Sequence, residues 1–210
     1  EHNKFQRLLK IEEVLKDNYD VAVITDAGTP AISDPAYKLV RRAIEIGSKI
    51  EAIPGASAVL ASLVSSGLPT DRFIFEGFLP PKKGRKKIIE NLKDVEATII
   101  FYENSNRLKR TVRQLFEILG DRPAVICREI TKIYEEIIRG TLSSLLEILE
   151  TKTYKGECVL LVSKDDKNIY FDKHGLCDHC NNFILNIQPN WHTDINGNIE
   201  LKKISAKIRS

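Results

Sequence analysis

The chain has 210 residues, of which 42% are hydrophobic and 29% charged, with a formal net charge of +3. This is long enough to bury one large core or two small ones, and ordinary enough to exclude a disordered or fibrous class. No apolar run approaches a membrane span, and four cysteines are too few for a disulfide scaffold of this length, so a reducing cytoplasm is the expected setting.

The chain opens Glu1-His2-Asn3-Lys4, has no signal-peptide pattern and contains no methionine, which points to an N-terminus that is not the natural one. Residues 3–17 carry Phe5, Leu8, Leu9, Val14 and Leu15 at helical spacing. Val21-Ala22-Val23-Ile24 then reads as a short buried strand. It leads into Thr25-Asp26-Ala27-Gly28-Thr29-Pro30-Ala31-Ile32-Ser33-Asp34-Pro35, a loop longer than a bare connection needs. Asp34 and Pro35 suit the cap and first residue of a helix running from Tyr37 to Ile46 and stopped by Gly47. Gly28 lets a ligand approach the backbone, and Asp26 offers a carboxylate at the strand end, where open α/β sheets bind ligands. Lys49–Ile53 is predicted as a second strand. It meets the helix Val59–Ser66 through Pro54-Gly55-Ala56-Ser57-Ala58, a second small-residue turn at a helix N-terminus.

Leu68-Pro69-Thr70-Asp71 breaks the pattern and marks an expected boundary between domains 1–70 and 71–163. A strand over Arg72–Phe75 leads through Gly77-Phe78-Leu79-Pro80-Pro81 into Lys82-Lys83-Gly84-Arg85-Lys86-Lys87. A basic run of this kind is either a solvated helix start or a contact for nucleic-acid phosphates, with Phe78 as its aromatic neighbour. The α/β alternation continues with a helix at Lys86–Leu92, a strand at Ala97–Tyr102 and a helix at Leu108–Leu119. Next come a strand at Ala124–Cys127, an exposed strand at Tyr134–Arg139, a helix from Gly140-Thr141 to Leu149 and a closing strand over 156–162. Glu103, Arg128 and Glu129 fall at strand ends, where they form either part of a site or an ion-pair set.

Residues 164–210 change character. A polar linker leads to Cys177-Asp178-His179-Cys180, half of a zinc knuckle without a second Cys pair to complete it.

Seven motifs occur in order: Asp26-Ala27-Gly28-Thr29-Pro30 with Ser33-Asp34-Pro35; Pro54-Gly55; Gly67-Leu68-Pro69-Thr70-Asp71-Arg72-Phe73; Glu76-Gly77-Phe78-Leu79-Pro80; Phe101-Tyr102-Glu103; Arg128-Glu129-Ile130-Thr131-Lys132; and Gly156-Glu157. Over about residues 1–163 the series resembles the bacterial 16S rRNA (cytidine) 2′-O-ribose methyltransferases of the tetrapyrrole-methylase superfamily. The resemblance implies a two-domain α/β fold of class III methyltransferases, S-adenosyl-L-methionine as cofactor, and a homodimer acting on 16S rRNA in the small ribosomal subunit. It directs Asp26, Ala27, Gly28, Thr29, Ser57, Ala58, Phe101, Tyr102, Arg128 and Gly156 toward the cofactor. It directs Lys82, Lys83, Arg85, Lys86 and Lys87 toward RNA. Glu103 becomes the candidate to orient or deprotonate a ribose hydroxyl, a target that excludes DNA. The family's first strand, its Pro-x-Gly-Asn turn and an acidic Glu-Asp-Thr-Arg segment have no counterpart, so an incomplete cofactor domain is expected. Residues about 167–210, with Cys177 and Cys180 as a zinc half site, instead resemble the N-terminal segment of N-acetyl sugar amidotransferases. Two other functions stay open: methylation of a small tetrapyrrole, and a non-catalytic remnant that binds RNA.

Overall fold

The computed structural model describes residues 2–33 and 36–164, and beyond them 184, 185 and 199. Asp34, Pro35 and the tail cysteines Cys177 and Cys180 lie outside the described residues, and with them the expected helix cap and zinc half site. The chain divides into two compact units, Glu1–Asp165 and Asp166–Ser210. Every element below belongs to the first.

Three helices come first: α1 (His2–Lys16), α2 (Tyr37–Glu45) and α3 (Ala58–Ser66). They are followed by β1 (Phe73–Phe78), α4 (Arg85–Asn91), β2 (Thr98–Asn104), α5 (Ser105–Leu119), β3 (Pro123–Arg128), β4 (Glu136–Thr141), α6 (Leu142–Thr151) and β5 (Glu157–Val162). The five strands form one sheet in the order β1-β2-β5-β3-β4. β1 and β2 are parallel, as a strand–helix–strand unit joined by α4 requires. β5 runs antiparallel to both β2 and β3, and β4 antiparallel to β3. It follows that the C-terminal ends of β1, β2 and β3 share one edge of the sheet.

The register fixes which side chains share a face. Ile99, Phe101, Leu160, Val162, Ala124 and Ile126 face the larger core, packed under Leu108, Val112 and Leu115 of α5 and Leu142, Leu145 and Leu149 of α6. Residues such as Phe101, Leu108, Leu115, Leu145 and Leu160 are fully buried there. Each contributes about 1.5–3 kcal/mol relative to exposure. Ile100, Val125, Cys127, Val159 and Leu161 face the other way and pack against Val59 and Leu63 of α3. Arg139 on β4 fastens the far end of α3 by donating from Nε to the Ser66 carbonyl at 3.0 Å and from its terminal nitrogen to the Ser65 carbonyl.

Two expected strands do not form. Residues 21–24 and 49–53 have no regular secondary structure, and Ile24 and Ile53 are 88% and 89% exposed. β-branched composition suits a pleated surface, but a strand exists only where a neighbour supplies the other half of the ladder. Among the described residues none does.

Candidate active site

Two loops, a helix N-terminus and two strand ends meet at the C-terminal edge of β1 and β2. Residues 26–29 form an exposed turn in which Gly28 has φ +72°. A Cβ added at Gly28, or at Gly55 in the second loop, would meet nothing within 4 Å. The two loops are tied together, because the Thr29 hydroxyl donates to the Ala56 carbonyl at 2.8 Å. Ser57 caps α3, its Oγ accepting from the Leu60 amide at 3.3 Å. On the strand side, Ser33 Oγ stands 3.4 Å from the position a Cβ would take on Gly77, where β1 bulges. Gly77 has φ +66°. Tyr102, opposite Phe78 in register, closes the group from β2. The Val59 amide in the first turn of α3 lies near enough to its hydroxyl to favour the ionised form, and its ring lies 4.8 Å from that of Phe75 and 5.5 Å from that of Phe78. Burial holds the Tyr102 hydroxyl above its ordinary pKa, so it stays protonated.

Glu103, the expected candidate base, lies on the opposite face of β2 from Tyr102. Its side chain is 1% exposed. One oxygen accepts from the Thr111 hydroxyl at 2.6 Å. The other accepts from the Asn104 amide at 2.9 Å and lies 3.4 Å from Arg107 Nε. Arg85 stands 3.7 Å away and is itself buried. Arg85 donates to Gln114 at 2.6 Å, to Thr111 Oγ1 at 2.5 Å and to the Pro80 carbonyl at 3.2 Å, while Arg107 donates to the Leu79 carbonyl at 2.7 Å. The carboxylate is held between two guanidiniums and a hydroxyl, and through Arg85 and Arg107 it anchors the loop over 79–84. The same geometry buries Arg85 and leaves Lys82, Lys83, Lys86 and Lys87 as the exposed cations of that segment.

The family model for the tetrapyrrole (corrin/porphyrin) methylases matches residues 1–146. The chain belongs to the tetrapyrrole methylases. It is 45% identical over 170 residues to the ribosomal RNA small subunit methyltransferase I of Halalkalibacterium halodurans, covering 80% of this chain and 59% of that protein. It is 40% identical over 163 residues to the protein of the same name from Thermotoga maritima, covering 78% and 73%. Against that of Bacillus subtilis it is 45% identical over 163 residues, covering 77% and 56%. The chain therefore spans between 56% and 73% of the length of these relatives. Two solved methylases share the fold at low identity. The methyltransferase CobJ superposes with a TM-score of 0.57 at 20% identity, covering 75% of this chain and 70% of its own. The cobalt precorrin-4 methyltransferase CbiF gives 0.54 at 19%, covering 75% and 69%.

Within this tetrapyrrole methylase the remaining expected site residues separate. Phe101 neighbours Tyr102 in sequence but sends its ring into the larger core. Arg128 and Gly156 reach the correct sheet edge, yet their side of it is built as a strut. Arg128 donates to the Lys155 carbonyl at 2.6 Å and the Tyr134 carbonyl at 3.1 Å. Glu129, at φ +47°, accepts from the Glu157 amide at 2.8 Å and from Lys132 Nζ at 3.2 Å, and the Glu157 amide holds its carboxyl below the usual range. Gly156 makes room for that carboxylate. Its φ is +99°, and a Cβ there would lie 2.6 Å from Glu129 Cδ.

Cys127 and Cys158 are free, buried thiols; burial raises both, Cys158 to about 11, so neither is a ready nucleophile. Among the described residues no group of three or more His, Cys, Asp or Glu is placed to hold a metal, and no helix is long and apolar enough to cross a membrane.

Proposed function

We propose that the protein methylates RNA of the small ribosomal subunit, with S-adenosylmethionine as donor, at the ribose 2′-hydroxyl of a cytidine in the 16S decoding region. The observation that carries this reading is the 40–45% identity, over about four-fifths of the chain, to proteins named ribosomal RNA small subunit methyltransferase I. What favours RNA over a small tetrapyrrole is the cluster of four exposed lysines beside the candidate site.

The open backbone at Gly28 and Gly55, the carboxylate of Asp26 and the first turn of α3 suit a ligand with hydroxyl and ammonium groups to bind and a carboxylate to neutralise. In this reading Asp26, Ala27, Gly28, Thr29, Ser57, Ala58 and Tyr102 hold the cofactor, which when bound supplies an electrophilic methyl group. The work of the chain is then positioning, because methyl transfer needs the attacking oxygen in line and within about 3–3.5 Å. Phosphate contacts at Lys82, Lys83, Lys86 and Lys87 hold the RNA, and the Arg85–Glu103–Arg107 network holds the lysines. A homodimer in the cytoplasm belongs to the same proposal.

The test is incubation with labelled S-adenosylmethionine and unmodified small ribosomal subunits, followed by nucleoside mass spectrometry. A 2′-O-methylcytidine, lost in Asp26→Ala, is the expected product. Label on a corrinoid and none on the subunit would replace this reading with that of a tetrapyrrole methylase.

A further inference from the structure

Phe78 is the last residue of β1 and is 58% exposed. Its neighbours in the chain are committed elsewhere: Gly77 bulges against Ser33, and Leu79 is buried with its carbonyl held by Arg107. Phe78 is thus fixed at its base. Its ring leans on Tyr102, with centroids 5.5 Å apart and planes at 58°, and Tyr102 packs in turn against Phe75, 4.8 Å away. The result is a supported ring whose free face meets solvent.

Its place gives it a use. On one side, Ser33 and Gly77 bring the 26–33 loop to the root of the ring. On the other, the exposed lysines begin four residues later at Lys82, on a loop clamped through the Leu79 and Pro80 carbonyls. A nucleotide strand whose phosphates follow those lysines toward the 26–33 loop passes over Phe78. Any base presents a π-face to an aromatic ring, and single-stranded RNA is held by this pairing of charge with stacking.

We infer that Phe78 is a stacking shelf for a nucleobase of the RNA substrate, at the step between the phosphate-binding lysines and the cofactor loops. The inference rests on the RNA reading above. It adds that the substrate is taken as an unpaired nucleotide, because a base in a duplex has no face to offer.

The experiment measures binding of a fluorescein-labelled RNA spanning the 16S decoding region to the full chain over a range of salt concentrations. Phe78→Ala is expected to weaken binding by about 5- to 150-fold. It should leave the slope of log K against log salt unchanged, because no ion is released at that contact. Phe78→Trp should restore binding. Lys82→Gln, Lys83→Gln, Lys86→Gln and Lys87→Gln together should lower the slope by about 0.7 for each lysine in contact with a phosphate. If the lysine variant loses affinity while Phe78→Ala binds like the parent, the shelf is overturned and the RNA reading survives. If neither substitution changes binding, both are overturned.

Discussion

The two faces of β2 differ in what they were built to do. Ile99, Phe101 and Glu103 alternate onto the face covered by α4, α5 and α6, where every side chain is buried and even the carboxylate has its oxygens occupied. Ile100 and Tyr102 alternate onto the face covered by α3, where the packing stops short and Tyr102 meets helix N-terminus, loop and solvent together. One strand is therefore sealed on one side and partly open on the other. Neighbours along a strand face opposite ways, so Glu103 and Tyr102, one residue apart, have different surroundings.

The largest effect expected from breaking this arrangement is on stability. Glu103→Ala strips the shared partner from two guanidiniums, one of them, Arg85, buried and already lowered by desolvation. Removing one member of a buried pair costs about 3–5 kcal/mol. Urea unfolding should show that loss for the full chain, and RNA binding should fall with it as the 79–84 loop is released. A loss below about 1 kcal/mol would mean that Glu103 is not the anchor and would return it to the list of candidate bases. Gly156→Ala comes next, on the strut side of the same edge. The left-handed backbone and the contact with Glu129 both oppose a methyl group, so about 1–3 kcal/mol should be lost. Thermal unfolding checks this, and a neutral substitution would show that Glu129 moves aside freely.

Tyr102→Phe sharpens the comparison from the cleft side. It deletes only the hydroxyl beside the Val59 amide, while the ring contacts to Phe75 and Phe78 remain. A cost of about 0.5–1.5 kcal/mol is expected in unfolding. Affinity for S-adenosylmethionine, measured by calorimetry, should change proportionately more than stability. If the order is reversed, with stability the more affected, Tyr102 belongs to the core and not to the cleft.

How much of this was legible in the sequence depends on what each feature needs from elsewhere. Strands β1, β2, β3 and β5 are apolar runs stopped by glycine or polar turns, and their neighbours are supplied by the same repeating pattern, so they form where expected. The runs at 21–24 and 49–53 have the same composition but no ladder partner among the described residues, and composition cannot report a partner. The orientation of Glu103 is legible in the sequence. It stands two residues after Phe101, and so on the same face; Arg107 and Thr111 follow at helical spacing from the start of α5, ready to meet it. The burial of Arg85 was not available. It depends on Gln114 and Thr111, nearly thirty positions on, so a run of basic residues reads as uniformly exposed until the tertiary contacts single one out. Gly156 drew attention through a motif, and its physical reason, the Glu129 carboxylate beneath it, appears only in three dimensions.

The smallest predicted effect concerns α1 and α2, which pack against each other. Arg42 on α2 holds Glu12 on α1 through two hydrogen bonds of 2.8 Å, and Lys16 adds an ion pair at 2.7 Å. Arg42 is the main cause that lowers the Glu12 carboxyl from 4.5 to about 2. A carboxyl lowered by folding stabilises the folded state where it is ionised in both states, above about pH 4.5. That contribution fades as the pH falls toward 2, where the folded carboxyl also takes its proton. Amide exchange in α1 and α2 should therefore accelerate between pH 4.5 and 2 relative to the intrinsic rate, and Glu12→Gln should remove most of that pH dependence while leaving the sheet unaffected. Equal acceleration in β2 and β5 would show that the two helices unfold only with the sheet, making the contrast between sealed and open regions one of exposure and not of local stability.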